Sequence, residues 1–319
     1  MLTPPSLPMH IPPAITRRNF LRTTALATLA PAVCPALENP DRGFIDAHVH
    51  VWTPDTQGFP LAPGFTKEKD MVPASFTPEE LFAHCRPQGV SRVVLIQMSF
   101  YKTDNRYMLE AIARHPGVFR GVAIVDETKA GVCDTMKELA KNGVRGFRIY
   151  TDREKAEAWG DSDAMKKMWS CAADAGLSMC LLANPDALPA VHRMCKAYPK
   201  TNVVIDHFAR IGMKGAVQQG ELDDLRRLAE FPHTHVKTSA FYALGKKKAP
   251  YTDMAPLIRS LRDDYGASRL MWASDCPYQV QDGHTYADSI ALIRGRLDFL
   301  STEDKEWMLR KTAEKVFFA

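Results

Sequence analysis

Two histidines one residue apart, His48 and His50 in the segment IDAHVHVW, are the most chemically pointed feature of the chain. Side chains alternate along a strand, so both imidazoles fall on one side. Ile45, Ala47 and Val49 are then expected on the other side, toward covering helices. A converging imidazole pair suits a borderline-soft divalent cation, zinc first among them. Farther on, His207 closes the run VVIDHFAR and Asp275 closes MWASDCPY. Alternation puts His207 on a face with Val203 and Ile205, with Asp206 pointing away. It puts Asp275 on a face with Ala273 and Met271, with Trp272 turned to the helices. An acid after an apolar run is costly to bury without a partner. Arg148 in VRGFRIY alternates with Phe147 and Ile149, and an inward guanidinium needs an anion. That anion is either a substrate or a buried acid such as Asp46. Tyr150, Gln97, Asn184 and Tyr242 stand at or just beyond the ends of apolar runs and are further candidates for substrate contacts. Lys237, Ser239 and Tyr278 are pocket candidates without an assigned role.

These residues need a scaffold that gathers strand ends. Apolar, β-rich runs at 43–48, 92–97, 119–125, 144–150, 177–183, 202–206, 235–239 and 270–274 alternate with amphipathic stretches. Helices are expected near 77–87, 105–115, 130–142, 162–175, 186–198, 221–231, 253–265 and 286–317. Thr77-Pro78-Glu79-Glu80 is a helix start, with a capping hydroxyl, Pro in the first turn and acids behind it. Eight nearly continuous apolar strands, each followed by a helix, predict an α/β fold, a single-domain (β/α)8 TIM barrel over residues 37–319. An open doubly wound sheet is the alternative, but no GxGxxG follows the first strand. Residues 52–76, too long for an ordinary connection, are expected over the mouth as a lid or pocket wall.

Taken as an ordered set, IDAHVHVW, VRGFRIY, VVIDHFAR, VKTSAFY, MWASDCPY and the terminal LSTEDKEWMLRKTAEKVF resemble the amidohydrolase-2 branch of the amidohydrolase superfamily. The nearest likeness is to the 2-pyrone-4,6-dicarboxylate lactonase group. The resemblance implies His48 and His50 as the strand-one pair and His207 as the later histidine. It implies Asp275 as the acid that handles the proton of water, and Arg210 as a substrate-carboxylate arginine. The implied reaction is hydrolysis of a small anionic lactone, with Arg148 and Arg210 orienting carboxylates. A metal-dependent non-oxidative decarboxylase is the enzyme alternative, and a non-catalytic exported binding protein the other. The chain departs from the family pattern. Strand four has no lysine to bridge two metals, strand five ends in Ala183-Asn184 without a histidine, and Thr312-Ala313 replaces Asn-Ala. The site therefore has room for one divalent metal at His48, His50, His207 and Asp275, or for none.

The first 36 residues read as a targeting segment. TRRNFLR at 16–22 resembles a twin-arginine export signal, and the apolar stretch Ala25 to Val33 precedes small residues that allow cleavage after Ala32 or Ala36. Export by the twin-arginine machinery to the periplasm is expected. The formal charge of +4 includes Arg17, Arg18 and Arg22, with no acid in residues 1–36, which leaves the remainder near +1. That argues against a nucleic-acid partner and for a small-molecule one. No 18-residue apolar run follows the leader, so no membrane span is expected in the mature domain. The seven cysteines show no CxxC or metal-finger spacing.

Overall fold

The computed structural model describes residues 43–319; the expected leader lies outside them. Eight strands follow one another in sequence order in a single parallel sheet. They are β1 (Phe44–Val49), β2 (Val90–Ile96), β3 (Phe119–Ala123), β4 (Val144–Thr151), β5 (Ser178–Ala183), β6 (Asn202–Ile205), β7 (Thr234–Thr238) and β8 (Leu270–Trp272). A parallel bridge between Val49 and Cys276 joins β1 to the chain just beyond β8. The seam carries two backbone hydrogen bonds, His50 N–H to the Cys276 carbonyl (2.8 Å) and Asp275 N–H to the His48 carbonyl (2.9 Å). The expected (β/α)8 barrel is the fold.

Two apolar layers result from strand alternation. Ile45, Ala47, Val94, Ile96, Val122, Cys180, Val204, Met271 and Ala273 fill the barrel interior, closed below by Ala313 and Phe317. The outer layer runs through Val93, Leu95, Phe147, Met179, Leu181, Val203, Ile205, Val236 and Trp272 against the helices. The helix at Pro78–Cys85 has a full capping box between Thr77 and Glu80. The long helix expected at 286–317 is broken: Tyr286–Ala291 and Thr302–Glu306 are short α-helices, followed by π-turns at Leu292–Arg296 and Trp307–Lys311.

The sidedness expected for two strands is corrected. Ile45 and Ala47 face into the barrel, not toward the helices. The pairing of β1 with β2 slips between Asp46 and Val49, where two residues on β1 oppose one on β2. Such a bulge re-aims side chains. It lets His48 and His50 turn inward although Ala47 already does, while Asp46 faces outward to Tyr286 (2.7 Å). On β6 the interior residue is Val204, and Val203 and Ile205 pack outward. Asp206 therefore points in. His207 also reaches the interior because the strand has ended: His207, Phe208, Ala209 and Arg210 all have positive φ, 51° to 62°.

Segment 52–76 is not a lid over the cavity, since none of its residues lines it. Trp52 bridges to Phe76 and meets Phe100 and Tyr278 at ring distances of 5.5 and 6.4 Å. The segment buttresses the mouth from behind.

Candidate active site

At the C-terminal ends of the strands lies a cavity of about 440 Å³ lined by His50, Arg148, Tyr150, His207, Arg210, Tyr242, Asp275 and Tyr278, among others. Active sites of such barrels sit at this end. His48, behind it, is fully buried.

Four atoms converge here. His48 Nε2 is 3.2 Å from His50 Nε2 and 3.5 Å from Asp275 Oδ1. Asp275 Oδ1 is 3.4 Å from His50 Nε2 and 3.8 Å from His207 Nε2. His48, His207 and Asp275 each offer a ligand atom within 4.8 Å of the others. Donors at zinc–nitrogen distances of 2.0–2.1 Å on a tetrahedron would stand about 3.3 Å apart. The observed spacings bracket that value, and Asp275 Oδ1 is buried without a hydrogen-bond partner. By spacing and chemistry the residues fit one divalent ion.

Each of these side chains is held from outside. His50 Nδ1 donates to the Ile96 carbonyl (2.8 Å), which leaves Nε2 with its lone pair facing the site. His207 Nδ1 contacts Ser239 Oγ (2.7 Å). The Tyr242 hydroxyl donates to Asp275 Oδ2 (2.7 Å), so Oδ1 alone faces the cavity. Asp275 itself has φ of 65°, a left-handed residue like His207; strained backbone of this kind gathers at functional sites.

Beneath the cavity is a pair that sequence reasoning missed. Lys237 Nζ, fully buried, is 2.9 Å from Asp206 Oδ1 and 3.2 Å from His48 Nδ1. Sequence alone puts Lys237 only among the pocket candidates and turns Asp206 to the outside. The signal available was one buried lysine on a strand, which demands a buried acid nearby, and Asp206, just past the neighbouring β6, is such an acid.

Electrostatics follow from this packing. Burial works to raise the Asp275 carboxyl, but the imidazoles of His207, His50 and His48 around it hold it well below the carboxylate range. Burial likewise opposes ionisation of Asp206, and Lys237 outweighs it and keeps that carboxylate charged. Burial, then the Lys237 charge, lowers His48 and keeps its ring neutral; burial lowers His207. The Tyr242 phenol is pushed up by burial and by Asp275, so it remains a donor.

Arg148 on β4 and Arg210 just past β6 both line the mouth. Arg148 Nη1 donates to the Gln97 carbonyl (3.0 Å), and Arg210 Nη1 to Asn184 Oδ1 (3.0 Å). The Arg148–Asp46 ion pair weighed from sequence is not formed. Tyr150, 47% exposed, lines the rim with Arg210 and Met213. Gln97 and Asn184 stand one layer back. The Gln97 amide is spent on the Lys102 and Asp104 carbonyls, and Asn184 steadies Arg210.

A parallel eight-stranded barrel with imidazoles and one carboxylate gathered at its C-terminal mouth defines a barrel hydrolase. The chain belongs to the amidohydrolase family, whose profile matches residues 45–319. It is 28% identical over 241 residues to the L-fucono-1,5-lactonase of Burkholderia ambifaria, covering 75% of this chain and 82% of that one. It is 27% identical over 258 residues to a 2-pyrone-4,6-dicarboxylate hydrolase of Comamonas testosteroni, covering 78% and 81%. Its fold matches an amidohydrolase of Burkholderia multivorans solved with bound zinc, at a TM-score of 0.71 and 19% identity, over 86% of this chain and 99% of that one.

Proposed function

We propose that the protein hydrolyses a small anionic lactone, with Asp275 Oδ1 as the proton acceptor for the attacking water. The observation that carries this reading is the single unpartnered carboxylate oxygen facing a cavity whose rim holds Arg148 and Arg210. The lactone-directed names of the similar proteins support it. The two guanidinium groups orient substrate carboxylate by forked hydrogen bonds. Water then adds to the ring carbonyl carbon as its proton passes to Asp275 Oδ1. When the ring C–O bond breaks, Asp275 returns that proton to the leaving oxygen, giving a hydroxy acid. Tyr242 holds Oδ2 so that Oδ1 keeps its aim through both transfers. A divalent ion, zinc by preference, would be held by His48, His50, His207 and Asp275 and would polarise the carbonyl. The test is a pH-stat assay over a panel of sugar lactones and pyrone carboxylates. Acid release with ring opening supports the reading, whereas CO2 release without it would move the chain to decarboxylation. We further propose that residues 1–36 direct export to the periplasm by the twin-arginine route, on the strength of TRRNFLR.

A further inference from the structure

The hydrogen-bond chain through the two β1 histidines closes without a metal. His50 Nδ1 meets a carbonyl, which only accepts, so Nδ1 carries a proton and in the neutral ring Nε2 is the acceptor. His48 Nε2 lies 3.2 Å from that acceptor and must itself carry a proton. At its other side, His48 Nδ1 is 3.2 Å from Lys237 Nζ, an ammonium that only donates. Asp206 Oδ1 is farther, at 3.5 Å, and already takes Lys237 at 2.9 Å. Three contacts thus agree on one neutral tautomer of His48, protonated on Nε2 and open on Nδ1.

That tautomer cannot ligate a metal at the point where the four side chains converge, because Nε2 is the nitrogen facing it. Metal-binding histidines ordinarily donate their outer N–H to a carboxylate, which raises the basicity of the ligating nitrogen. Asp206 is placed to accept such a bond, and Lys237 stands in the way. We propose that Lys237 is a positioning residue that holds His48 in the non-ligating tautomer, so that the ammonium and a divalent ion compete for the same histidine. The amino group is a built-in cation behind the site. It weakens the hold on one metal. Removing it lets Asp206 take the His48 Nδ1–H and frees Nε2.

The inference rests on the assignment of these side chains to one site, but its test needs no substrate, so it can fail while the lactone reading stands, and conversely. The first measurement is long-range ¹⁵N–¹H correlation of the imidazoles in metal-stripped, full-length protein, with His48 assigned from a His48→Gln variant. Protonation of His48 at Nε2 is expected; protonation at Nδ1 overturns the proposal. The second is zinc affinity by competition with a chromophoric chelator. Lys237→Met should bind zinc at least about 10-fold more tightly than the wild type, the size of an outer-shell effect on metal affinity. Equal or weaker binding by folded Lys237→Met overturns it. Should that variant fail to fold with Asp206 left charged and unpaired, Lys237→Met combined with Asp206→Asn keeps an acceptor for Nδ1–H without a buried charge. The same tightening is expected there. If neither variant folds, the tautomer spectrum decides alone.

Discussion

The amide of Asp275 donates to the carbonyl of His48 at 2.9 Å, so the seam that closes the barrel is made by the residues proposed to do the chemistry. The His50 amide completes it on Cys276. Rigidity where the last strand meets the first is transferred directly to the spacing of carboxylate and imidazoles. Asp46 tightens the same seam from outside, its Oδ1 accepting from the amides of both His48 (3.2 Å) and Ser274 (2.9 Å).

That arrangement makes a pH-dependent prediction. Burial pushes the Asp46 carboxyl up to about 6, against the hydrogen bonds it receives from Ser274, Tyr286 and His48. A raised acid favours the protonated form in the fold, so its contribution is most favourable below the unfolded value near 4. It declines as pH rises to about 6 and stays low above that. Asp46→Asn removes the cost of burying the charge while keeping an acceptor oxygen. Its stability relative to wild type should improve by about 1–3 kcal/mol between pH 4 and pH 7.5. Urea denaturation of both proteins at the two pH values checks this. A difference independent of pH would mean that Asp46 is not ionised at a cost.

Tyr242→Phe removes the 2.7 Å hydrogen bond to Asp275 Oδ2. Oδ1 then loses its fixed aim. Turnover should fall roughly 10-fold with KM little changed, less than the roughly 10²- to 10⁴-fold of losing the proton acceptor itself, because the carboxylate remains and only its aim is loosened. Steady-state kinetics on a lactone substrate decide it; a rise in KM at constant turnover would make Tyr242 a substrate contact instead.

Arg210→Ala should act on binding. Losing a charge-assisted contact to a substrate carboxylate costs about 1.5–3 kcal/mol, or roughly 10- to 100-fold in KM. The matching lactone without the carboxylate should be nearly unaffected. Equal losses on both substrates would show that Arg210 serves the fold, through Asn184, and not the ligand.

Much of this was legible in the residues. The strand–helix alternation predicted the barrel, and His48, His50, Arg148, His207 and Asp275 do meet at one mouth. The sidedness of β1 and β6 was not legible, because period-two reasoning holds only while the ladder is regular. A bulge at Asp46–Val49 and four consecutive left-handed residues from His207 broke it, and HFAR, lacking glycine, carries no sign of such a turn. Asp206 was misplaced for that reason, and with it the partner of Lys237. The reading of 52–76 as a lid failed because length alone does not say which side a loop packs on; Trp52 does.

The export proposal has its own check. Changing Arg17 and Arg18 to Lys should leave the protein in the cytoplasm with an unprocessed N-terminus, while the wild type is cut between residues 32 and 36. Fractionation with N-terminal mass spectrometry reads both. Periplasmic protein from the double variant, or an intact N-terminus on exported wild type, would contradict it.

The central claim is that Asp275 moves the proton of water, and Asp275→Asn tests it most directly. Asn preserves the shape and one acceptor oxygen but takes no proton near neutral pH. Turnover of a hydrolysed lactone should fall about 10²- to 10⁴-fold, with folding intact and KM changed far less, because Arg148 and Arg210 still hold the substrate. Near-wild-type turnover by folded Asp275→Asn would contradict the account.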